Sequence, residues 1–386
     1  MIKLFYRVYQ LAFRCAAVFL PWRRPERLAS FEAIAALLKA RKVTTVLIVT
    51  DQGLVKAGLH LGLIEALVNA DLGYALYDEV VANPTIDNIE AALALYKTTE
   101  SAAIIALGGG SPMDCAKGVG ARLARPGKTI AQMRGQLKVL AKMPLFIAIP
   151  TTAGTGSETT LTAVVTDART HEKYAINDTS LIPHYALLDP VLTVGLPPFL
   201  TAWTGMDALC HAVEAYVGGS NTRQTRTDAL KATELIFANL FAAYSDGQNL
   251  EARRNMQEAS FLAGAAFTRA YVGNIHAIAH TLGGQYNTAH GLANAVIMPY
   301  ILEAYSSKVD RALSEMAAAA GVDGSLIDAI RELNLKMGVP DKIADLIPED
   351  IPLLAGRALR EANPLYPVPV IFDRAKMERA YRSLLV

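Results

Sequence analysis

The sequence predicts an α/β half followed by an all-α half. Three observations carry that expectation: the length of the chain, an alternation of strand and helix patterns, and its end near residue 196. At 386 residues the chain exceeds one typical domain, so two domains with separate cores are expected. From about residue 43 to 190, short apolar runs alternate with amphipathic stretches, the pattern of a largely parallel sheet with crossover helices. Past Leu196-Pro197-Pro198, helical patterns rich in Ala, Leu and Met run to about residue 338 with few strand signals.

Taken in order, residues 1–24 read as an apolar, basic extension, residues 25–190 as the α/β domain and residues 191–386 as the helical one. In the extension Lys3, Arg7, Gln10 and Arg14 recur at steps of four, three and four, which puts them on one narrow helical stripe. Ile2, Leu4, Phe5, Tyr6, Val8, Tyr9, Leu11, Phe13, Val18, Phe19 and Leu20 cover the remainder, so the helix must be buried in something. An anionic membrane surface, with the helix lying in the interface, and a packing role on its own domain or a neighbouring subunit both satisfy that need. Lys3, Arg7 and Arg14 interrupt the only apolar run that approaches spanning length, and Phe19-Leu20-Pro21-Trp22 offers no secretory cleavage site.

Strands are expected at Thr45 to Thr50, Gly73 to Tyr77, Ala102 to Leu107, Leu145 to Ile149 and Tyr185 to Leu188, with helices at Asn88 to Lys97 and Ala116 to Leu123. The loops that follow the strands are where such sheets bind ligands. In the second half, the run from Asp207 to Glu214 reads as the heart of a buried helix and Ile275 to Leu282 as part of another. After Gly338 several prolines predict shorter helices and extended pieces.

Composition narrows the function. A hydrophobic share of 52% against 19% charged residues points to surface covered by other subunits or by lipid. The net charge of +1 leaves no basic field for a nucleic-acid backbone. Cys15, Cys115 and Cys210 stand apart without a C-x-x-C pair, which argues against disulfides and thiolate zinc and for a cytoplasmic protein; Cys210 reads as a packed core thiol.

Two loops and one histidine-rich region carry chemistry. Gly108-Gly109-Gly110-Ser111 follows a strand and opens a helix, where close backbone approach and free amides favour a pyrophosphate. The same run reads as a capped helix start, with Ser111 as N-cap, Pro112 in the first helical position and Asp114 completing a box-like cap. Pro150-Thr151-Thr152-Ala153-Gly154-Thr155-Gly156-Ser157 is a second loop of small and hydroxyl residues, able to wrap a cofactor. Asp207 and His211 share a helix face at i, i+4; His276 and His280 repeat that spacing, and His290 follows. A carboxylate with imidazoles suits zinc or ferrous iron, though spacing leaves open which of the three later histidines bind.

Together, the runs Gly108 to Lys117, Pro150 to Glu158, Gly205 to Glu214 and His276 to Ala295 resemble the iron-containing (metal-dependent, group III) alcohol dehydrogenase family, in its order and at its separations. The resemblance covers roughly residues 40 to 300. It implies a Rossmann-like dinucleotide-binding domain followed by a helical metal-binding domain, as in dehydroquinate synthase-like proteins. It further implies Fe²⁺, with Zn²⁺ as the other candidate, held by Asp207, His211, His276 and His290, and a non-ligand catalytic His280 beside the nicotinamide. Asp51 matches the position of a carboxylate near the adenosine ribose, which favours NAD over NADP. Asn83 and Lys173 resemble positions near the cofactor, joining Gly109, Gly110, Ser111, Asp114, Thr151, Thr152 and Thr155 as expected cofactor contacts.

The implied activity is reversible hydride transfer between an alcohol and its aldehyde or ketone, in a homo-oligomer. Alternatives are a glycerol dehydrogenase-like or other enzyme of the same fold, and a non-catalytic NAD-binding or membrane-associated scaffold. Residues 1 to 30 depart from the family, which usually has an extended segment and a strand there, and so does the tail around Asn363 to Pro369.

Overall fold

The structure, a computed structural model, describes residues 2–170 and 172–386. It divides into two compact units: Pro21–Thr152 with Ser157–Thr193, and Val194–Val386 with Ala153–Gly156 and the segment ending at Leu20. Two details differ from the expected boundaries. The first helix, α1 (Ile2–Ala17), groups with the helical unit and does not stand alone, and four residues of the hydroxyl-rich loop do the same.

The α/β unit runs β1 (Glu26–Leu28), α2 (Phe31–Ala40), β2 (Thr45–Val49), α3 (Gln52–Lys56), α4 (Leu61–Asn69), β3 (Gly73–Tyr77), α5 (Ile86–Thr98), β4 (Ala103–Gly108) and α6 (Gly110–Ala124). It continues with β5 (Gly135–Gln136), β6 (Leu145–Pro150), β7 (Thr162–Asp167), β8 (Glu172–Asn177) and β9 (Tyr185–Leu187). Six strands form a parallel sheet in the order β1-β9-β6-β4-β2-β3. Helices cover both faces, so β2, β4 and β6 are near-continuous apolar runs. Leu47, Val49, Ile104, Ala106, Phe146 and Ala148 join one core layer with residues of α5 and α6. Their neighbours Val46, Ile48, Ile105, Leu107, Ile147 and Ile149 join the other with α2 and α4. From β2 the chain adds β3 on one side, then returns to place β4 on the other, so the strand order reverses between β2 and β4. Asp51 and the run Gly108 to Ser111 follow those two strands, at the place where open sheets bind ligands.

All five expected strands are present with ends shifted by at most one residue, but four others were not anticipated. β1 has three residues and only one large apolar side chain, too little for a periodic signal. It nonetheless pairs in parallel with β9, which corrects the expectation that residues 1 to 30 hold no strand. β7 and β8 form an antiparallel hairpin joined by β5 into a separate small sheet.

The helical unit contains α7 (Pro198–Val217), α8 (Arg223–Ser245), α9 (Leu250–Ala270), α10 (Asn274–Tyr286), α11 (His290–Tyr305), α12 (Asp310–Ala320), α13 (Leu326–Lys336), α14 (Ile351–Ala362) and α15 (Arg374–Arg382). α7 is buried on all sides from Gly205 to Tyr216, which makes it the central helix. Pro299 lies inside α11 and cannot donate to the Ala295 carbonyl one turn back. The Asn334 side-chain amide fills that vacancy at 2.8 Å, so the helix continues. On α1 the polar stripe faces the domain and the apolar side faces outward, which reverses the burial expected of that helix.

Candidate functional site

Asp207, His211 and Glu214 sit at i, i+4 and i+7 on α7, so one face of a buried helix carries all three polar groups. α10 supplies His276 and His280, and the first residue of α11 supplies His290. Asp207 Oδ1 stands 3.4 Å from His290 Nε2, 3.8 Å from His276 Nε2 and 4.0 Å from His211 Nε2. One donor atom from each of the four residues lies within 4.8 Å of the others. Donors about 2.1 Å from a shared ion in tetrahedral array stand about 3.4 Å apart, so this set fits a transition-metal ion with little adjustment. Burial holds the His211 and His276 imidazoles below their usual range, His276 further depressed by the neighbouring histidines. Neutral rings with available lone pairs are what such an ion requires.

The rings are held in place by neighbours. His211 stacks on Phe267 at 4.0 Å between centroids and on His276 at 4.6 Å. His276 Nδ1 donates to Glu214 Oε2 at 2.7 Å, which leaves Nε2 turned toward Asp207. The same carboxylate accepts from Gly273 N at 2.7 Å and Ile275 N at 2.8 Å, so it also satisfies the start of α10. Burial raises the Glu214 carboxyl to about 7, opposed by the bonds from Gly273 N and Ile275 N. Asn294, one turn into α11 and fully buried, donates to Asp207 Oδ1 at 2.7 Å. Cys210 Sγ lies 3.7 Å from His276 Nδ1, and burial keeps its thiol protonated, as fits a packed core thiol.

His280 does not join the four donors but lies beside them, 5.1 Å from His290 and 5.9 Å from His276 between ring centroids. Its Nδ1 donates to Glu361 Oε1 at 2.5 Å, and the Tyr366 hydroxyl donates to the same oxygen at 2.9 Å. Sequence reasoning missed Glu214, Asn294 and Glu361 as partners. The helical spacings of the first two from Asp207 and His290 were a usable signal. Glu361, 81 positions from His280, had none.

In the α/β unit the structure gathers three expected contacts. Lys173 Nζ donates to Asn83 Oδ1 at 2.7 Å, and Asn83 N donates to Ser111 Oγ at 3.3 Å. Asp51 caps α3 by accepting from Leu54 N at 3.0 Å. Gly108 is required by space, since a Cβ there would stand 2.5 Å from Pro112 Cγ. Gly109 is the N-cap of α6 and Gly110 its first residue, so Ser111 does not cap the helix as expected; its hydroxyl serves Asn83. Thr151 and Thr152 follow β6, with Thr152 beside Gly109. Thr155 lies in the part of the loop that groups with the helical unit. There Gly156, at φ +58°, approaches Gly264 so closely that a Cβ would meet its Cα at 2.6 Å.

Asp114, another of the expected cofactor contacts, also has partners within the protein. Its carboxylate accepts from Ser157 Oγ at 3.1 Å and Val164 N at 3.0 Å, so it ties the loop to the start of the β7 hairpin. Lys117, fully buried, donates to Ser157 Oγ at 2.9 Å, Thr160 Oγ1 at 2.7 Å and the Thr162 carbonyl at 2.8 Å. Burial pulls the Lys117 ammonium down to about 8, with Asp114 and Glu158 opposing, and pushes Glu158 up to about 7. Removing one partner from such a buried charge cluster costs about 3 kcal/mol or more. Lys117→Met is therefore expected to lower the thermal midpoint by roughly 6–12 °C. A scanning calorimetry trace unchanged from wild type would refute a structural role for this lysine.

Comparison with known proteins places this geometry in context. A family model described as iron-containing alcohol dehydrogenase matches residues 27–190, and one for the C-terminal part of the Fe-containing alcohol dehydrogenase family matches residues 201–385. Alcohol dehydrogenase 4 of Saccharomyces cerevisiae is 39% identical over 342 residues, covering 86% of this chain and 89% of its own length. Among solved structures, an alcohol dehydrogenase from Oenococcus oeni superposes with a TM-score of 0.90 at 33% identity, covering 95% of this chain and 100% of that one. A sulfoacetaldehyde reductase from Bifidobacterium kashiwanohense in complex with NAD+ gives 0.85 at 28% identity, covering 95% and 98%.

Proposed function

The chain belongs to the iron-containing alcohol dehydrogenase family, and from that premise we propose how its own residues carry out alcohol–carbonyl interconversion with NAD. The observation that carries the reading is the convergence of Asp207, His211, His276 and His290 on one buried point. These four hold the divalent ion. When bound, that ion supplies Lewis acidity toward the alcohol oxygen, and NAD supplies the hydride acceptor.

The protein's part is positioning and proton handling. Glu214 fixes the His276 tautomer through Nδ1, and Asn294 orients the Asp207 carboxylate. His280 is the catalytic group outside the ligand set. With Nδ1–H donated to Glu361, its Nε2 is the basic atom that receives the alcohol proton and passes it on toward solvent. In the α/β unit Gly109, Gly110 and Ser111 offer backbone and hydroxyl donors to the pyrophosphate, helped by Thr151 and Thr152, while Asn83 and Lys173 flank that loop. The glycerol dehydrogenase-like and non-catalytic alternatives draw no support from the relatives.

The direct test follows NADH absorbance while iron-loaded and zinc-loaded protein meets a panel of small alcohols and aldehydes. Turnover that disappears on chelation is expected, and none with any alcohol or aldehyde would overturn the reading.

Asp51 sets the choice of dinucleotide, because its carboxylate accepts from a ribose 2′-hydroxyl and repels a 2′-phosphate. Asp51→Gly is expected to shift the ratio of kcat/KM values toward NADP by roughly tenfold or more. Losing the α3 cap to glycine costs only a few tenths of a kcal/mol, so the shift is readable in a folded protein. Wild-type enzyme that prefers NADP would defeat the assignment.

The same reading includes a cytoplasmic homo-oligomer with peripheral membrane contact through residues 1–24. The three free cysteines and the apolar composition support it, and among the described residues no helix is long and apolar enough to cross a membrane.

A further inference from the structure

α1 is amphipathic in the opposite sense to most surface helices. Its polar stripe is turned inward: Arg7 donates to the carbonyls of Val368 at 2.7 Å and Pro369 at 2.9 Å, and Gln10 donates to that of Tyr366 at 2.7 Å. Arg14 donates to the Gly219 carbonyl at 3.1 Å, Lys3 pairs with Asp373 at 3.3 Å, and Phe13 meets the Tyr271 ring edge-on. These contacts fix the helix on its domain. They leave Ile2, Leu4, Phe5, Val8 and Leu11, with Phe19 just past the helix end, outward, each between 58% and 88% exposed. At roughly 100 Å² apiece they expose about 600 Å² of apolar surface, the upper end of what a monomer ordinarily shows to water.

The surroundings of that face are cationic. α1 carries no carboxylate. An open cavity of about 640 Å³ adjoins it through Arg14 and is lined also by Arg223, Arg226 and Thr222, with Glu315 as its single carboxylate. Arg226 pairs with Glu315 at 2.6 Å and lies over the Tyr216 ring, while Arg14 and Arg223 remain exposed. Two exposed guanidiniums beside an apolar face are complemented by a sheet of anionic headgroups.

We propose that the outward face of α1, with the adjoining Arg14, Arg223 and Arg226 cavity, is a docking surface for an anionic lipid bilayer. This deepens the peripheral contact proposed above and names its partner. The apolar side chains enter the acyl boundary, and the arginines take headgroup phosphates at the rim. The polar stripe, which such helices ordinarily leave to water, here anchors the helix to the enzyme.

The test is co-sedimentation of the full-length, metal-loaded protein with phosphatidylcholine vesicles, with and without phosphatidylglycerol. Wild type is expected to pellet with the anionic vesicles, less so as salt rises. Phe5→Ser with Leu11→Ser should weaken binding by at least about tenfold, and Arg223→Ser by roughly fivefold. The substituted groups are exposed, so folding and alcohol turnover without vesicles should stay at wild-type levels. Wild type left in the supernatant, or variants that bind as well as wild type, would overturn the proposal. So would a fall in native mass of the Phe5/Leu11 variant without lipid, since that would make the face a subunit contact. Vesicle binding by a protein that oxidises no alcohol would defeat the catalytic reading alone.

Discussion

His276→Ala will remove metal and activity together. Elemental analysis should show about one ion per wild-type chain and almost none in the variant, with turnover lost to the same degree. In the proposed ligand set the direction of His276 is fixed, because Nδ1 is bound to Glu214 at 2.7 Å while Nε2 faces Asp207 Oδ1 at 3.8 Å. Alanine removes a donor from the interior and leaves the Glu214 carboxylate without its side-chain partner. The gentler change Glu214→Gln separates positioning from ligation. Its amide cannot accept through both ends, so one of the donors at Gly273 N, Ile275 N or His276 Nδ1 faces an NH₂ group. Metal affinity should then fall about 10- to 100-fold while the fold and the four ligands persist. A His276→Ala protein that keeps its full metal complement would show the ligand set to be wrong.

His280→Ala should behave oppositely, keeping its metal and losing turnover by a factor of about a hundred or more. The ring stands next to the ligand cluster, and Glu361 with Tyr366 holds it by Nδ1. A group that only filled space would leave the pH dependence of kcat unaltered on removal. If His280 handles the proton as proposed, its removal should alter that dependence, and Glu361→Gln should lower turnover without abolishing it. Metal loss from His280→Ala would move the residue into the ligand set. Full activity would remove it from the mechanism.

Much of this protein is decided by neighbours in sequence. The apolar runs of β2, β3, β4, β6 and β9 and the helix face shared by Asp207 and His211 were legible because backbone geometry repeats every two or 3.6 residues. The glycine run before α6 was legible too, and at Gly108 the close approach to Pro112 leaves no room for a side chain. The proposed ligand set needed resemblance as well, for spacing did not choose among His276, His280 and His290.

Other features exist only in three dimensions. Glu361 reaches His280 across 81 residues, and Lys117 ties Ser157 across 40. Neither pairing has a period, because it depends on which helix packs where. β1 is too short for its own sequence to specify a strand; an open edge on β9 recruits it. α1 makes the point most directly. Its sequence defines a polar stripe and an apolar face, but periodicity is symmetric between inside and outside. The carbonyls of Tyr366, Val368, Pro369 and Gly219 turn the stripe inward, because guanidinium and amide donors held there gain acceptors that apolar side chains cannot use.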